Sequence, residues 1–171
     1  MAITGPALSE LSETVPISCM TEHDLLEVVE IEEQSGLSRW GWAAYYAELQ
    51  GMSRPLMLVA RVARPLEQPK TDNIAGYIVA RLVANELHIN NVAVRVEYRR
   101  RGIGSALLKR VLEEGRRLQA AVAFLEVRAG NSLAQALYKK CGFTDVGLRR
   151  VYYSAPQEDA LIMSADIKRT A

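Results

Sequence analysis

The spacing of apolar and polar residues in the first half of the chain predicts two helices followed by short strands. After Thr21, which has Asp24 in place to complete a capping box, apolar residues recur at helical spacing. The opposite face of this first helix carries glutamates, namely Glu27, Glu30, Glu32 and Glu33. A second helix is predicted over 42–50, after a glycine-bearing break. The strands predicted for this half are 15–20, 57–63, 74–84 and 87–94, and the last three suit an antiparallel meander.

The second half alternates strands with helices, a pattern that is typical of a parallel crossover. A basic turn over 99–104 leads into a helix with an apolar face, and the near-continuous apolar run 122–128 predicts a strand covered on both faces. Asn131 can cap a further helix and Gly142 can end it. The last predicted strands are 145–153 and 160–167, on either side of a loop over 154–158. These elements predict an α/β fold with a mixed sheet.

Length and composition predict one domain over 15–171, preceded by a mobile leader over 1–14 that is rich in polar residues and glycine. The chain has 171 residues and 49% apolar content, which is enough for one core. Its 21 basic and 20 acidic residues nearly cancel, so no global field would hold it on nucleic acid or an anionic membrane. No apolar run approaches the ~20 residues of a membrane helix. We therefore expect a cytoplasmic monomer or weak dimer without nucleic-acid or membrane partners.

Cysteine and histidine are too scattered to predict a metal site. Cys19 and Cys141 lie far apart and form no CxxC motif, so they predict neither a disulfide framework nor a zinc site. His23 and His88 cluster neither with each other nor with the cysteines. We expect no bound metal and a reducing compartment.

The turn over 99–104 is the first candidate for chemistry. It lies between a predicted strand and a predicted helix, so its backbone N–H groups lie at a helix N-terminus, where phosphate binds readily. Gly102 and Gly104 lack the Cβ atoms that would hold a pyrophosphate away, and the three adjacent arginines add charged donors. Taken alone, the segment fits a solvated turn with an arginine cluster equally well.

The same segment matches the Gln/Arg-x-x-Gly-x-Gly/Ala signature of GNAT acetyltransferases. Downstream residues resemble the motif series of the RimI-type members of that family: Leu125-Glu126-Val127-Arg128, Asn131, Ala134, Ala136-Leu137-Tyr138 and Gly142-Phe143. Similarity to their closing strands continues at Arg150, Tyr152-Tyr153 and Glu158-Asp159-Ala160. The close similarity covers about 87–163. It implies the GNAT fold, with helices on both faces of the sheet, a splayed parallel strand pair and acetyl-CoA as the acetyl donor.

The resemblance also implies where acetyl-CoA binds. The pyrophosphate would lie on the amides of 99–104, and the pantetheine arm would enter the split between the strands 87–94 and 122–128. The implied cofactor residues are Val92, Ala93, Val94, Arg99, Arg100, Arg101, Gly102, Ile103, Gly104, Ser105 and Asn131. For Asn131, a role as a plain helix cap is equally good, and the two roles are compatible.

Glu126 and Tyr138 are the candidate catalytic residues. A protein α-amine, with a pKa of about 7.7–8.0, must lose a proton before it attacks, and a nearby carboxylate such as Glu126 supplies a base. The alternative is a structural ion pair with Arg128, two residues along on the same face. Tyr138 lies on the predicted inward face of its helix, from which a phenol can protonate the departing thiolate. Its alternative is a core tyrosine with a backbone partner. The RimI-type motif favours the catalytic role for both.

The acceptor side is predicted mainly from the last hairpin. Tyr152 and Tyr153 can line a slot for an entering peptide, and Glu158 and Asp159 can receive positive charge. Trp40, beside a glycine, can shape the same pocket. Surface tyrosines on a solvated hairpin and a tryptophan packing anchor are the alternatives. In RimI-type enzymes the substrate is the N-terminal alanine of the eighteenth protein of the small ribosomal subunit, so the resemblance implies a protein N-terminus as partner.

Two other functions are compatible with these motifs. The acceptor can instead be a lysine, a polyamine or a drug amine, although a lysine amine, with a pKa near 10.4, is harder to deprotonate than an α-amine. The protein can also be a coenzyme-binding module without catalysis. The presence of both Glu126 and Tyr138 argues against that module, because binding alone needs neither.

Overall fold

The helices and strands follow the predicted order. The structure is a computed structural model that describes residues 15–51, 54–62 and 74–167, so the predicted 1–14 leader and the 64–72 loop lie outside the described residues. Its elements are β1 (Ile17–Cys19), α1 (Leu25–Ser35), α2 (Gly41–Gln50), β2 (Met57–Arg61), β3 (Ile74–Val83), β4 (Glu86–Val94), α3 (Ile103–Arg117), β5 (Val122–Arg128), α4 (Ser132–Lys140), β6 (Thr144–Ser154) and β7 (Gln157–Asp166). The capping box before α1 is confirmed, because the Thr21 amide donates to Asp24 Oδ2 at 2.8 Å.

One mixed sheet of seven strands runs through the molecule, in the order β1-β2-β3-β4-β5-β7-β6. Among the described strands, β4 and β5 form the one parallel pair, and all other neighbours are antiparallel. The predicted mixed α/β fold, with its meander and parallel pair, is thus confirmed. The turn between β6 and β7 contains only Ala155 and Pro156 and is shorter than predicted, because strand pairing extends to Ser154 and Gln157.

Helices cover both faces of the sheet. On one face, α1 and α2 bury an apolar set with β2, β3 and β4 that includes Val28, Ile31, Tyr45, Val59, Tyr77 and Ala93. On the other face, α3 and α4 pack on a larger set that includes Leu87, Ile89, Leu107, Leu108, Val111 and Leu125. Each fully buried aliphatic side chain contributes about 1.5–3 kcal/mol relative to exposure. No helix in the described ranges is long and apolar enough to cross a membrane.

The expectation that β5 is covered on both faces is wrong. Ala123, Leu125 and Val127 are buried against the α3 side, whereas Phe124 and Glu126 on the other face are half-buried. The reason is that α1 packs chiefly over β3 and β4. The face of β5 that carries Glu126 is therefore partly open to solvent.

The polar face predicted for α1 is also not fully exposed. Glu32, expected on the acidic outer face, is only 1% exposed. It is buried because the chain that follows α1 folds back and donates hydrogen bonds to its carboxylate from the backbone of Trp40 and Gly41. A neighbouring glutamate, Glu33, is exposed as predicted.

Candidate active site

The two parallel strands separate partway along their length and open a gap in the sheet. β4 and β5 pair from Glu86 with Val122 to Ile89 with Leu125, and their pairing ends there. The register of β4 against β3 shifts at this point, because Ile89 pairs with Ala80 whereas Asn91 already pairs with Val79. Such a bulge bends its strand away from the neighbour. The predicted split between the strands is thus present, with β4 backbone groups beyond Ile89 facing the gap.

A cavity of about 730 Å³ fills this gap and brings most of the predicted site residues together. Those that line it are Val92, Ala93, Val94, Arg99, Arg100, Gly102, Ile103, Gly104, Ser105, Glu126, Asn131, Tyr138 and Tyr153. Leu137 and Leu133 of α4 add apolar walls. A cavity of this size and mixed lining is typical of a site for a cofactor or small molecule.

The basic turn over 99–104 has the geometry of an anion site. Arg100 and Gly102 take positive φ values of 61° and 78°, and α3 begins directly afterwards. Ala106 is the residue whose N–H donates to the Gly102 carbonyl, so the N–H groups of the first turn of α3 lack main-chain acceptors. Those donors and the positive end of the helix dipole favour a phosphate at the cavity wall.

The arginines of this turn differ in position. The Arg99 Nε atom donates to the Val94 carbonyl at 3.0 Å, which ties the turn to the end of β4. Arg101 is not among the cavity-lining residues, and its guanidinium carbon lies 5.4 Å from the centre of the Tyr98 ring. Arg99 and Arg100 are therefore better placed than Arg101 to meet a ligand through their side chains.

Asn131 forms the N-cap of α4 and also lines the cavity. Its Oδ1 atom accepts a hydrogen bond from the Ala134 amide at 3.1 Å, as expected of a cap. That bond uses the carbonyl oxygen of the side-chain amide, which leaves the NH2 group of Asn131 as a donor at the cavity wall. The two roles predicted for Asn131 are thus geometrically compatible.

Glu126 lies on β5 just beyond the point where the strands separate. Its side chain is 27% exposed, and its Oε1 atom accepts from Arg149 Nε at 2.7 Å. The alternative ion pair with Arg128 is wrong, because the Arg128 guanidinium donates to the carbonyls of Pro156 and Ala155 instead. Sequence reasoning missed Arg149, since it reaches Glu126 from β6 across the intervening strand and leaves no local pattern.

Tyr138 enters the cavity from the opposite face of the sheet. It lies on α4 and packs against the apolar set beneath α3, with its ring centre 6.1 Å from that of Phe143. Burial raises the pKa of Tyr138 to about 12. The phenol is therefore protonated near neutral pH and can act as a hydrogen-bond donor or acid.

A second cavity of about 630 Å³ adjoins the first. It is lined by the acceptor loop, as we call residues 36–39, together with Arg128, Tyr152, Tyr153, Ser154 and Ala155. Residues 36–38, Arg128 and Tyr153 line both cavities, so the two spaces meet beside Glu126. A hydrogen bond to Glu126 raises the pKa of Tyr152. The sequence analysis predicted the tyrosines but not the acceptor loop. The glycines at 36 and 41 are the feature of the sequence that could have indicated this loop.

Two residues predicted for the acceptor side lie elsewhere. Asp159 lines neither cavity, and its Oδ1 atom accepts from the Val151 amide at 2.7 Å, where the strand is distorted by a positive φ of 53°. Trp40 also lines neither cavity, and its ring packs on Tyr45 with 5.4 Å between ring centres. Trp40 is therefore the packing anchor of the alternative interpretation, and Asp159 stabilises the hairpin.

The charged side chains that line the second cavity are Arg39 and Arg128. Glu158, expected to receive positive charge, lies 3.5 Å from the Gly130 amide through its Oε2 atom. Among the described residues, Glu126 is the one carboxylate that lines either cavity. Across the described residues, no three His, Cys, Asp or Glu side chains come together in a way that could hold a metal ion.

Fold and site together define an acetyltransferase of the GNAT class. Residues 25–143 match the acetyltransferase (GNAT) family, and the chain belongs to that family. It is 34% identical to N-alpha-acetyltransferase RimI of Mycobacterium tuberculosis, over 91% of this chain and 94% of that protein. It is 31% identical to the ribosomal protein bS18-alanine N-acetyltransferase of Salmonella typhimurium, over 88% of this chain and 97% of that protein.

A solved structure gives the same result. The crystal structure of the ribosomal-protein-S18-alanine N-acetyltransferase from Escherichia coli superposes with a TM-score of 0.75 at 30% identity, covering 91% of this chain and 96% of that one. The resemblance to RimI-type enzymes that the motifs indicated is therefore confirmed over nearly the whole chain.

Proposed function

We propose that the protein transfers the acetyl group of acetyl-CoA to the α-amine of a protein N-terminus in the cytoplasm. The observation that carries this proposal is the junction of two cavities beside Glu126, one behind a helix N-terminus and one open to an entering chain. The relatives from Salmonella typhimurium and Escherichia coli are named as alanine N-acetyltransferases of a ribosomal protein, and the N-terminal alanine of such a protein is the substrate proposed here.

The residues of the first cavity suit a coenzyme A group. The free N–H donors at the start of α3 fit a pyrophosphate, and the open edge of β4 from Val92 to Val94 fits the amides of a pantetheine arm. Gly104 allows Leu137 of α4 to pack close to the start of α3, because a Cβ atom at position 104 would lie 3.0 Å from Leu137 Cδ2. Acetyl-CoA supplies an activated thioester when bound, and Val92, Ala93, Val94, Asn131 and the 99–105 segment would hold it.

Glu126 is proposed as the base that deprotonates the acceptor amine, directly or through one water. An α-amine with a pKa of about 7.7–8.0 is largely protonated at neutral pH, so attack requires proton transfer. The carboxylate lines the first cavity on the same face of β5 as Arg128, which lines both cavities. A peptide N-terminus that enters through the second cavity would arrive there. Arg149 and Tyr152, which contact the carboxylate, would fix its orientation.

Tyr138 is proposed as the acid on the opposite side of the gap. As the new C–N bond forms and the C–S bond breaks, the departing thiolate needs a proton, and the partly buried phenol, whose raised pKa keeps it neutral at assay pH, can supply it. The phenol then regains a proton from solvent. Base and acid would thus act from opposite faces of the sheet on a thioester held between them.

The proposed function is tested by following thiol release from acetyl-CoA with a panel of acceptors. The panel contains peptides that begin with alanine, serine or methionine, a blocked peptide with an internal lysine, and a polyamine. We expect turnover of free peptide N-termini, with alanine preferred. Preferential turnover of lysine or polyamine would replace the proposed acceptor class, and coenzyme binding without turnover of any acceptor would indicate a binding module.

The residue roles are tested by Glu126→Gln and Tyr138→Phe. General acid–base catalysis contributes about 100-fold to 10,000-fold, so each variant should lower kcat by at least about 100-fold while the KM for acetyl-CoA changes little. The matched controls are Glu97→Gln, an exposed carboxylate, and Tyr46→Phe, a half-buried tyrosine stacked on Trp42. Turnover of both site variants at the rate of their controls would remove these roles.

A further inference from the structure

Glu32 is a buried carboxylate that the proposed chemistry does not use. It lies on α1 and is 1% exposed. Its Oε1 atom accepts from the Trp40 amide at 2.8 Å and from the Tyr45 hydroxyl at 2.7 Å, and its Oε2 atom accepts from the Gly41 amide at 3.1 Å. Glu32 therefore holds the N-terminus of α2 from the preceding helix, where the helix dipole favours a negative charge.

The chain between these two helices is the acceptor loop. Gly36 ends α1 in the left-handed conformation, with a φ of 65°, and the loop then leads to the two amides that Glu32 holds. Along the way, residues 36–38 line both cavities and Arg39 lines the second. The path of the acceptor loop is thus fixed at its start by the end of α1 and at its end by one carboxylate.

The Glu32 carboxylate is also connected to β4, the strand that borders the first cavity. Asn91, in β4 beside Val92, donates through Nδ2 to the Tyr45 hydroxyl at 2.7 Å and lines the cavity. The Tyr45 and Tyr77 hydroxyls lie 2.8 Å apart, and burial holds the pKa of both above the usual value. Since Tyr45 donates its one proton to Glu32, it accepts from both Asn91 and Tyr77.

This arrangement indicates a purpose beyond stability. Burying a carboxylate is costly, and well-packed apolar residues of similar volume often stabilise a core as well or better. Within the described ranges, no buried side-chain polar atom lacks a hydrogen-bond partner, so this network is complete. Hydrogen bonds are directional, whereas apolar packing is not. This network therefore joins specific amides at the end of the acceptor loop to a specific residue of β4.

We infer that Glu32 is a positioning residue that holds the acceptor loop in register with β4, so that an incoming peptide N-terminus is directed to the junction of the two cavities. This inference rests on the proposed function for its kinetic consequence. Loss of the carboxylate should loosen the loop that contacts the acceptor and leave the amides at the start of α3, which would bind acetyl-CoA, in place.

The test compares Glu32→Gln with Glu33→Gln, an exposed neighbour on the same helix that undergoes the same chemical change. In Glu32→Gln one acceptor oxygen becomes an NH2 group that faces N–H or O–H donors. We expect the KM for an alanine-starting peptide to rise about tenfold, the scale of one lost hydrogen bond to a charged group, with the KM for acetyl-CoA within about twofold. Glu33→Gln should match the wild type in both.

A second readout does not depend on turnover. Both tryptophans of the chain, Trp40 and Trp42, follow the acceptor loop directly, so acrylamide quenching of tryptophan fluorescence reports its order. Quenching should increase in Glu32→Gln and in the milder variant Tyr45→Phe, which serves if Glu32→Gln does not fold. A wild type that acetylates no peptide would overturn the proposed function, whereas unchanged peptide KM and unchanged quenching in both variants would overturn the role of Glu32.

Discussion

Replacing Gly102 by alanine tests whether the backbone conformation of the 99–104 turn matters for acetyl-CoA. Gly102 has a φ of 78°, and no atom lies within 4 Å of the position that a Cβ atom would occupy, so the substitution acts through the backbone alone. An L-residue in the left-handed region costs about 1–2 kcal/mol. If the turn keeps its shape, that cost lowers the melting temperature by about 2–8 °C for a domain of this size. If the turn relaxes, its amides no longer converge on a phosphate.

In the second case the cost appears in binding, and the KM for acetyl-CoA should rise about 5-fold to 30-fold with kcat less affected. The melting temperature is measured by thermal unfolding, and the KM is measured by thiol release at varied acetyl-CoA concentration. Gly142→Ala is the control, since Gly142 also has a positive φ with no atom within 4 Å of its Cβ position but does not line the first cavity, so it should lower the melting temperature without raising the KM for acetyl-CoA. Gly102→Ala with both the melting temperature and the KM of the wild type would refute the reasoning.

Two further changes report on other parts of the site. In Gly76→Ala the new Cβ would lie 2.7 Å from the Ala93 carbonyl oxygen, which is backbone and cannot rotate away. We therefore expect the free energy of unfolding in urea to fall by about 1–3 kcal/mol. The KM for acetyl-CoA should also rise, because β4 has to shift. Because burial raises the pKa of Tyr138 to about 12, its proton is retained well above pH 10, and kcat should show no descending limb below about pH 10. A fall in kcat between about pH 8.5 and 10, with the protein still folded, would contradict the acid role of Tyr138.

Local patterns carried most of the fold and the cofactor side of the site. The patterns that predicted α3, β5 and α4 depend on a few neighbouring residues each, and for α3 the face that the periodicity predicted to be apolar is the buried one. The 99–104 turn could also be predicted from the sequence, since its proposed role depends on backbone amides at a helix start and on glycines that lie within six consecutive positions.

The acceptor side was decided by contacts between distant segments. Arg149 reaches Glu126 from β6, and the Asp159 carboxylate accepts from the Val151 amide and does not line the cavity. No pattern of neighbouring residues in the sequence predicts either contact. The sequence predicted Glu32 as one of four solvent-facing glutamates, whereas in the structure the chain that follows α1 covers it. Periodicity specifies which face of an element is apolar, but only the packed chain determines which polar group on the other face meets a partner, because that depends on residues brought close by the fold.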